Sequence, residues 1–100
     1  MLAAIQQRSF HIEAYEFLAA LPSATYVVRH ECENIDERGV SSLVGFFAGR
    51  LVGIQIKPHD EILNQDEEDF KFGLLMGGGL YFVVRSFDEL YRIAKERTWF

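Results

Sequence analysis

The chain has 100 residues, 49% apolar and 25% charged, which suits one folded domain and excludes a disordered chain. Nine Phe, four Tyr and one Trp supply a core, while the single cysteine, Cys32, excludes a disulfide scaffold and points to a reducing, cytoplasmic setting. The net charge of −5 weighs against a simple nucleic-acid footprint, which wants a basic face. No apolar run approaches the roughly 18 residues of a membrane span, and the N-terminus lacks a signal peptide's charged-then-apolar layout.

In chain order, Ser9 can cap a helix that runs to about Leu21, where Pro22 stops it. Ile12, Tyr15, Leu18 and Ala19 give that helix an apolar face, and Leu2 and Ile5 leave an upstream extension open. Ala24 to His30 is rich in strand formers and reads as a strand. Leu43–Phe47 and Leu51–Ile56, joined by Ala48-Gly49-Arg50, read as a hairpin, with Gly49 able to supply a positive φ. Pro58 ends the second strand. Asp60 to about Met76 reads as a helix with Ile62, Leu63, Phe70 and Leu74 inward, and Gly77-Gly78-Gly79 terminates it. Leu80 to Val84 is a buried strand, and Ser86-Phe-Asp-Glu89 is a capping box opening a last helix whose apolar face carries Leu90, Ile93 and Ala94. The order α-β-β-β-α-β-α predicts a single compact α/β domain over residues 1–100, in three layers, with its last strand reached by a helical crossover.

Charge is concentrated. Four acids lie between Glu31 and Glu37 (Glu31, Glu33, Asp36, Glu37) and six between Asp60 and Asp69 (Asp60, Glu61, Asp66, Glu67, Glu68, Asp69). They read either as solvated surface or as an acidic recognition face, and neither has the spacing of a calcium loop. In the second hairpin strand Val52, Ile54 and Ile56 share one side, so Gln55 and Lys57 point together to the other, with Gly53 leaving room beside them. Two aligned polar side chains there are either wet at the sheet rim or part of a site. With the turn at Gly49, Ser42 approaches Gln55 across the pairing.

The stretch Gly39-Val-Ser-Ser-Leu-Val-Gly-Phe46, then Gly49-Arg-Leu-Val-Gly-Ile-Gln-Ile-Lys57, then Leu63, Phe70, Gly77-Gly78 and Tyr81 to Leu90 resembles the VRR-NUC family of the PD-(D/E)XK nuclease superfamily. The resemblance covers about half of the chain. It implies a restriction-endonuclease-like mixed sheet flanked by helices, and magnesium-assisted phosphodiester hydrolysis by an aspartate, a glutamate and a lysine. This chain departs from the pattern where the metal would bind: the aspartate position is Ser42, the glutamate position is Gln55, and a helix glutamine aligns with Glu67. Only Lys57 is unchanged. A hydroxyl and a neutral amide supply no charge to a hard cation, so the expected cofactor is none. If the chain is active, Glu67, as a carboxylate migrated from strand to helix, and Asp60 would hold Mg²⁺.

Other catalytic signatures are weak. His11, His30 and His59 sit in different elements, Cys32 stands beside acids that raise a thiol's pKa, and the three glycines lack the residues of a phosphate loop. Two functional classes follow. The favoured one is a catalytically degenerate nuclease fold that presents Glu31, Glu33, Asp36, Glu37, Asp66 and Glu68 to a protein of nucleic-acid metabolism or defence, as a phage- or bacterium-type inhibitor or accessory subunit. The alternative is an active endonuclease cutting branched or duplex DNA, with Arg38, Arg50, Lys57, Lys71 and Arg85 as its basic track. Nucleic-acid binding without cutting lies between them, no membrane partner is expected, and a homodimer through Phe46, Phe47 or Trp99 is open.

Overall fold

The computed structural model describes residues 2–29, 39–57 and 60–100, with side chains from Phe10 onward. His30, Cys32, the acids Glu31, Glu33, Asp36 and Glu37, and also Arg38, Pro58 and His59, lie outside the described residues.

Helix α1 spans Leu2–Ala19, so Ser9 lies inside it and does not cap it. The upstream residues Leu2, Ala3, Ala4, Gln6, Gln7 and Arg8 are strong helix formers and carry no breaker, which is why the helix extends back to Leu2. Its buried stripe differs from the expected one. Ala14 and Leu18 are fully buried, with Phe10, Tyr15 and Phe17 packed beside them and Leu21 following, whereas Ile12 and Ala19 are exposed. Positions 10, 14, 17, 18 and 21 form an uninterrupted i, i+4, i+7, i+8, i+11 series, the better helical face.

Strands β1 (Ala24–Arg29), β2 (Leu43–Phe47) and β3 (Arg50–Ile56) run antiparallel in order, and β4 (Leu80–Val84) joins β3 in parallel, giving the sheet order β1-β2-β3-β4. The β2–β3 hairpin closes through the two residues Ala48 and Gly49, both at positive φ (53° and 78°). Mirror-image turns of this kind match the twist of the flanking strands. Central β3 is buried on both faces, as its continuous burial from Val52 to Lys57 records. Strand β4, expected to be buried, is mostly half-buried because it lies at the sheet edge.

Helix α2 spans Gln65–Met76, five residues shorter at its start than the sequence pattern suggests. Asn64 takes an extended conformation and caps it, accepting from the Glu67 N–H at 2.9 Å, while Glu67 Oε1 accepts from the Asn64 N–H at 2.8 Å. This reciprocal box sets the start, so Asp60–Asn64 stays irregular, and Ile62, expected to face inward, is 80% exposed. Gly77 caps the other end, as expected. Helix α3 spans Phe87–Glu96 and buries Leu90 and Ala94, with Ile93 packed against the core. Ser86 caps it by accepting from the Glu89 N–H, while the Glu89 carboxylate accepts from the N–H of Arg85, one residue upstream of the expected box partner.

Three layers result. Helices α1 and α3 cover one sheet face, where Leu43, Phe47, Val52, Ile54, Ile56 and Val84 meet Ala14, Leu18, Leu90, Ala94 and Trp99. Trp99 and Phe47 are buried and stacked with centroids 4.6 Å apart, which removes both from the candidate surface residues and leaves Phe46 exposed. Helix α2 lies over the other face. Among the described residues, no helix is long and apolar enough to cross a membrane.

Ala48 holds a left-handed conformation that costs a residue with a Cβ about 1–2 kcal/mol. Replacing it with Asn, which tolerates that region in an Asn-Gly turn, should raise the urea midpoint by an amount equivalent to about 1 kcal/mol. An unchanged or lowered midpoint would contradict the assigned turn.

Candidate functional site

The hairpin register creates the site. Leu43 pairs with Ile54, so Ser42 comes opposite Gln55 at the open end of the hairpin. Ser42 Oγ accepts from Gln55 Nε2 at 3.2 Å and from the Ile56 N–H at 3.0 Å. Lys57 follows at the end of β3, where its N–H donates to the Val84 carbonyl at 3.1 Å and prolongs the parallel ladder. All three residues are buried: Ser42 is 6% exposed, Gln55 8% and Lys57 7%. The polar pair on β3 is therefore enclosed and not wet at the rim.

What encloses it is helix α2. Gly53, two residues before Gln55 on the same face, lets the helix down onto the sheet, for a Cβ there would lie 2.8 Å from Leu74 Cδ2 and 2.6 Å from Ser41 Oγ. Gly39 performs a similar service at the helix start, with a φ of +78° and no room for a Cβ beside the Asp66 carbonyl. The capping box then aims the Glu67 side chain inward. Its Oε1 receives Lys57 Nζ at 2.8 Å while also bonding the Asn64 N–H.

A second carboxylate reaches the same ammonium. Glu61 Oε1 lies 3.1 Å from Lys57 Nζ, and the Glu61 carbonyl accepts from Arg85 Nη1 at 3.0 Å, which ties segment 60–64 to the end of β4. Glu61 was not among the expected site residues, since the turn before α2 follows no readable period. Asp60, the other expected metal ligand, is exposed beside it. Burial lowers the pKa of the Lys57 ammonium, but the hydrogen bonds and charges of Glu67 and Glu61 outweigh it and hold the pKa above the ordinary lysine value.

Tyr81, paired with Gly53 across the parallel ladder, adds a buried phenol on this face. Burial first, and then the charges of Glu67 and Glu68, push its pKa up to about 12. Tyr81 OH, Gln55 Oε1 and Ser41 Oγ are buried without a hydrogen-bond partner among the described residues. Such groups are costly to leave unmet, at about 1–3 kcal/mol each. No sequence signal identified Tyr81 or Ser41, because their role depends on where α2 lands.

The structure thus sets Ser42 against Gln55 and Lys57 against Glu67 on one side of the sheet. The remaining candidates stand apart. Asp66 and Glu68 are exposed on the first turn of α2. In the basic track, Arg50 donates to the Gly78 carbonyl, Lys57 is neutralised, and Arg85 is engaged with Glu61. Arg97, near the C-terminal end, sits over the Phe82 ring. No protein-family model, no curated protein and no solved structure matches this chain.

A magnesium ion does not suit these residues. The two strand positions are neutral, Ser42 Oγ already accepts from two donors, and Glu67 is bonded to an ammonium and a backbone N–H. Mg²⁺ typically takes one or two carboxylates, and the two strand positions supply none.

Two outcomes test this site as an energetic unit. Lys57→Met leaves the Glu67 carboxylate buried and unpaired, and should cost about 3–5 kcal/mol in urea unfolding. Lys57→Met with Glu67→Gln, which keeps a capping-box residue and removes the charge, should recover most of that loss; simple additivity would show that the pair is not coupled. The alkaline limb supplies the second. Lys57 and Tyr81 hold their protons more tightly folded than unfolded, so their contribution is complete below the unfolded values and is lost as pH rises through the folded ones. Stability should fall between about pH 10 and 12, and Tyr81→Phe should flatten that fall.

Proposed function

We propose that this chain is a nuclease-like domain that acts by binding a protein and does not cut nucleic acid. The observation that carries the reading is the state of Lys57: the one motif residue left unchanged is closed between Glu67 and Glu61. A lysine that offsets charge on a phosphodiester must be free to approach a phosphate, and this one is neutralised by protein carboxylates. Around it, Ser42 and Gln55 bond each other and the backbone, which is a structural use of positions that the resemblance assigns to metal binding.

The surface agrees. Asp66, Glu68 and Asp69 are exposed on one helical turn, and the net charge is −5. Such a face steers a basic partner into contact at low salt and repels nucleic acid. The partner we infer is a protein with a basic face, of the kind that handles nucleic acid, with this chain as its inhibitor or accessory subunit.

One observation favours the active alternative: Glu67 does stand against Lys57, where a migrated carboxylate would have to stand. Incubation with branched and linear duplex DNA in Mg²⁺ or Mn²⁺ separates the readings. The unaltered chain should leave both substrates intact, while cleavage that disappears in Glu67→Gln would overturn the proposal. Restoring both carboxylates as Ser42→Asp with Gln55→Glu should create Mg²⁺ binding on the order of millimolar affinity, read by calorimetry on protein shown to be folded. No gain in binding would count against the nuclease origin of the site.

A further inference from the structure

Among the described residues, helix α2 covers only part of its sheet face, and a groove lies beside it. Its volume is about 400 Å³, and Val40, Val44, Leu51, Phe70, Gly73 and Leu74 line it, with Asp69 as the only charged lining residue among those described. Spacing of three and four puts Asp66, Asp69, Gly73 and Met76 on one stripe of the helix, so the stripe bordering the groove is acidic at one end and apolar at the other. On the sheet side the apolar surface continues. Phe46 pairs with both Leu51 and Tyr26 and so shares their face, and Phe46 and Tyr26 are exposed. Phe72, Leu75 and Met76 are exposed along the helix itself. Surfaces of this kind, apolar and rimmed by charge, mark interaction sites.

We propose that this groove receives an amphipathic segment of a partner protein, apolar on one face and Lys- or Arg-bearing on the other. The assignment rests on the binding reading above and specifies its surface. Charge complementarity selects the occupant: among the described residues the groove's one charge is the Asp69 carboxylate, Asp66 flanks it, and no basic residue lines the wall. A helical segment with apolar anchors at i, i+3, i+4 and i+7 would seat them against Val44, Leu51 and Phe70 while its bases meet the carboxylates. Gly73 makes close approach feasible, since even an added Cβ there would have no atom within 4 Å.

Gly73 also supplies the test. Gly73→Leu should fold as well as the parent or better, because glycine is a poor helix former, yet it places a side chain in the groove. The probe is a fluorescently labelled Leu/Lys peptide with the anchor spacing above, compared with a scrambled peptide of equal composition. The patterned peptide should bind the unaltered chain, perturb the amide resonances of Val44, Leu51, Phe70 and Gly73, and lose roughly tenfold or more in affinity to Gly73→Leu. Asp66→Lys with Asp69→Lys should weaken binding and flatten its salt dependence. Equal affinity for the scrambled peptide, undiminished binding by Gly73→Leu, or resonance changes confined to other surfaces would overturn the groove assignment. So would a concentration-dependent dimer that Gly73→Leu abolishes, which would make a second copy the occupant. None of these outcomes bears on cleavage, so the DNA assay still decides the non-cutting reading by itself.

Discussion

A lysine ammonium buried at the end of a central strand imposes strict conditions on everything near it. Taking an ion of that size out of water costs several kcal/mol even after relaxation, so Lys57 must be met by carboxylates at short range. Meeting it fixes the first turn of α2, because Glu67 serves at once as capping residue and counter-ion. It also draws segment 60–64 back over the strand end through Glu61, which Arg85 then ties to the end of β4. The hairpin, the helix start and the edge strand are thus joined at one charged atom. The glycines at positions 39 and 53 are the steric side of the same arrangement, since each lets backbone or helix come close enough for the contact to form.

That arrangement bears on function through what it leaves over. Lys57 is satisfied, Ser42 and Gln55 are bonded to each other and to the backbone, and the exposed charge on this side is the acidic first turn of α2. Beside the same helix, among the described residues, lies the apolar groove that borders those acids. In the binding function proposed above, those buried polar residues hold the scaffold together while the acidic and apolar exterior meets the partner.

Much of the fold was legible in the residues. The three strands around the hairpin and before α3, the tight turn and the glycine stop after α2 all carry local signals: β-branched runs, Gly49, and a glycine cluster. The misread boundaries share a cause. Two competing apolar stripes run along α1, and only packing against the sheet shows that Phe10, Ala14, Phe17 and Leu18 win over Ile12 and Ala19. At α2 the acidic run from Asp60 resembles a helix start, but the Asn64–Glu67 box is the stronger cap and moves the start to Gln65. Of the site, Ser42, Gln55 and Lys57 could be picked out in advance because period-two alternation and hairpin register place them together, and Glu67 only through the family resemblance. Ser41 and Tyr81 could not, because each joins by a long-range approach that leaves no pattern in the chain, and Glu61, only four residues after Lys57, reaches it because segment 60–64 stays irregular.

From the residues alone come the element order, the face on which Gln55 and Lys57 lie, and the lack of a carboxylate at Ser42 and Gln55. Those follow from local periodicity and residue chemistry. Only the tertiary structure decided that the polar pair is buried and neutralised, that the basic residues Arg50 and Arg85 are spent on backbone carbonyls, and that an apolar groove opens beside α2. Burial, ion pairing and uncovered surface depend on how far one element comes down on another, and that distance is set by contacts between residues remote in the chain.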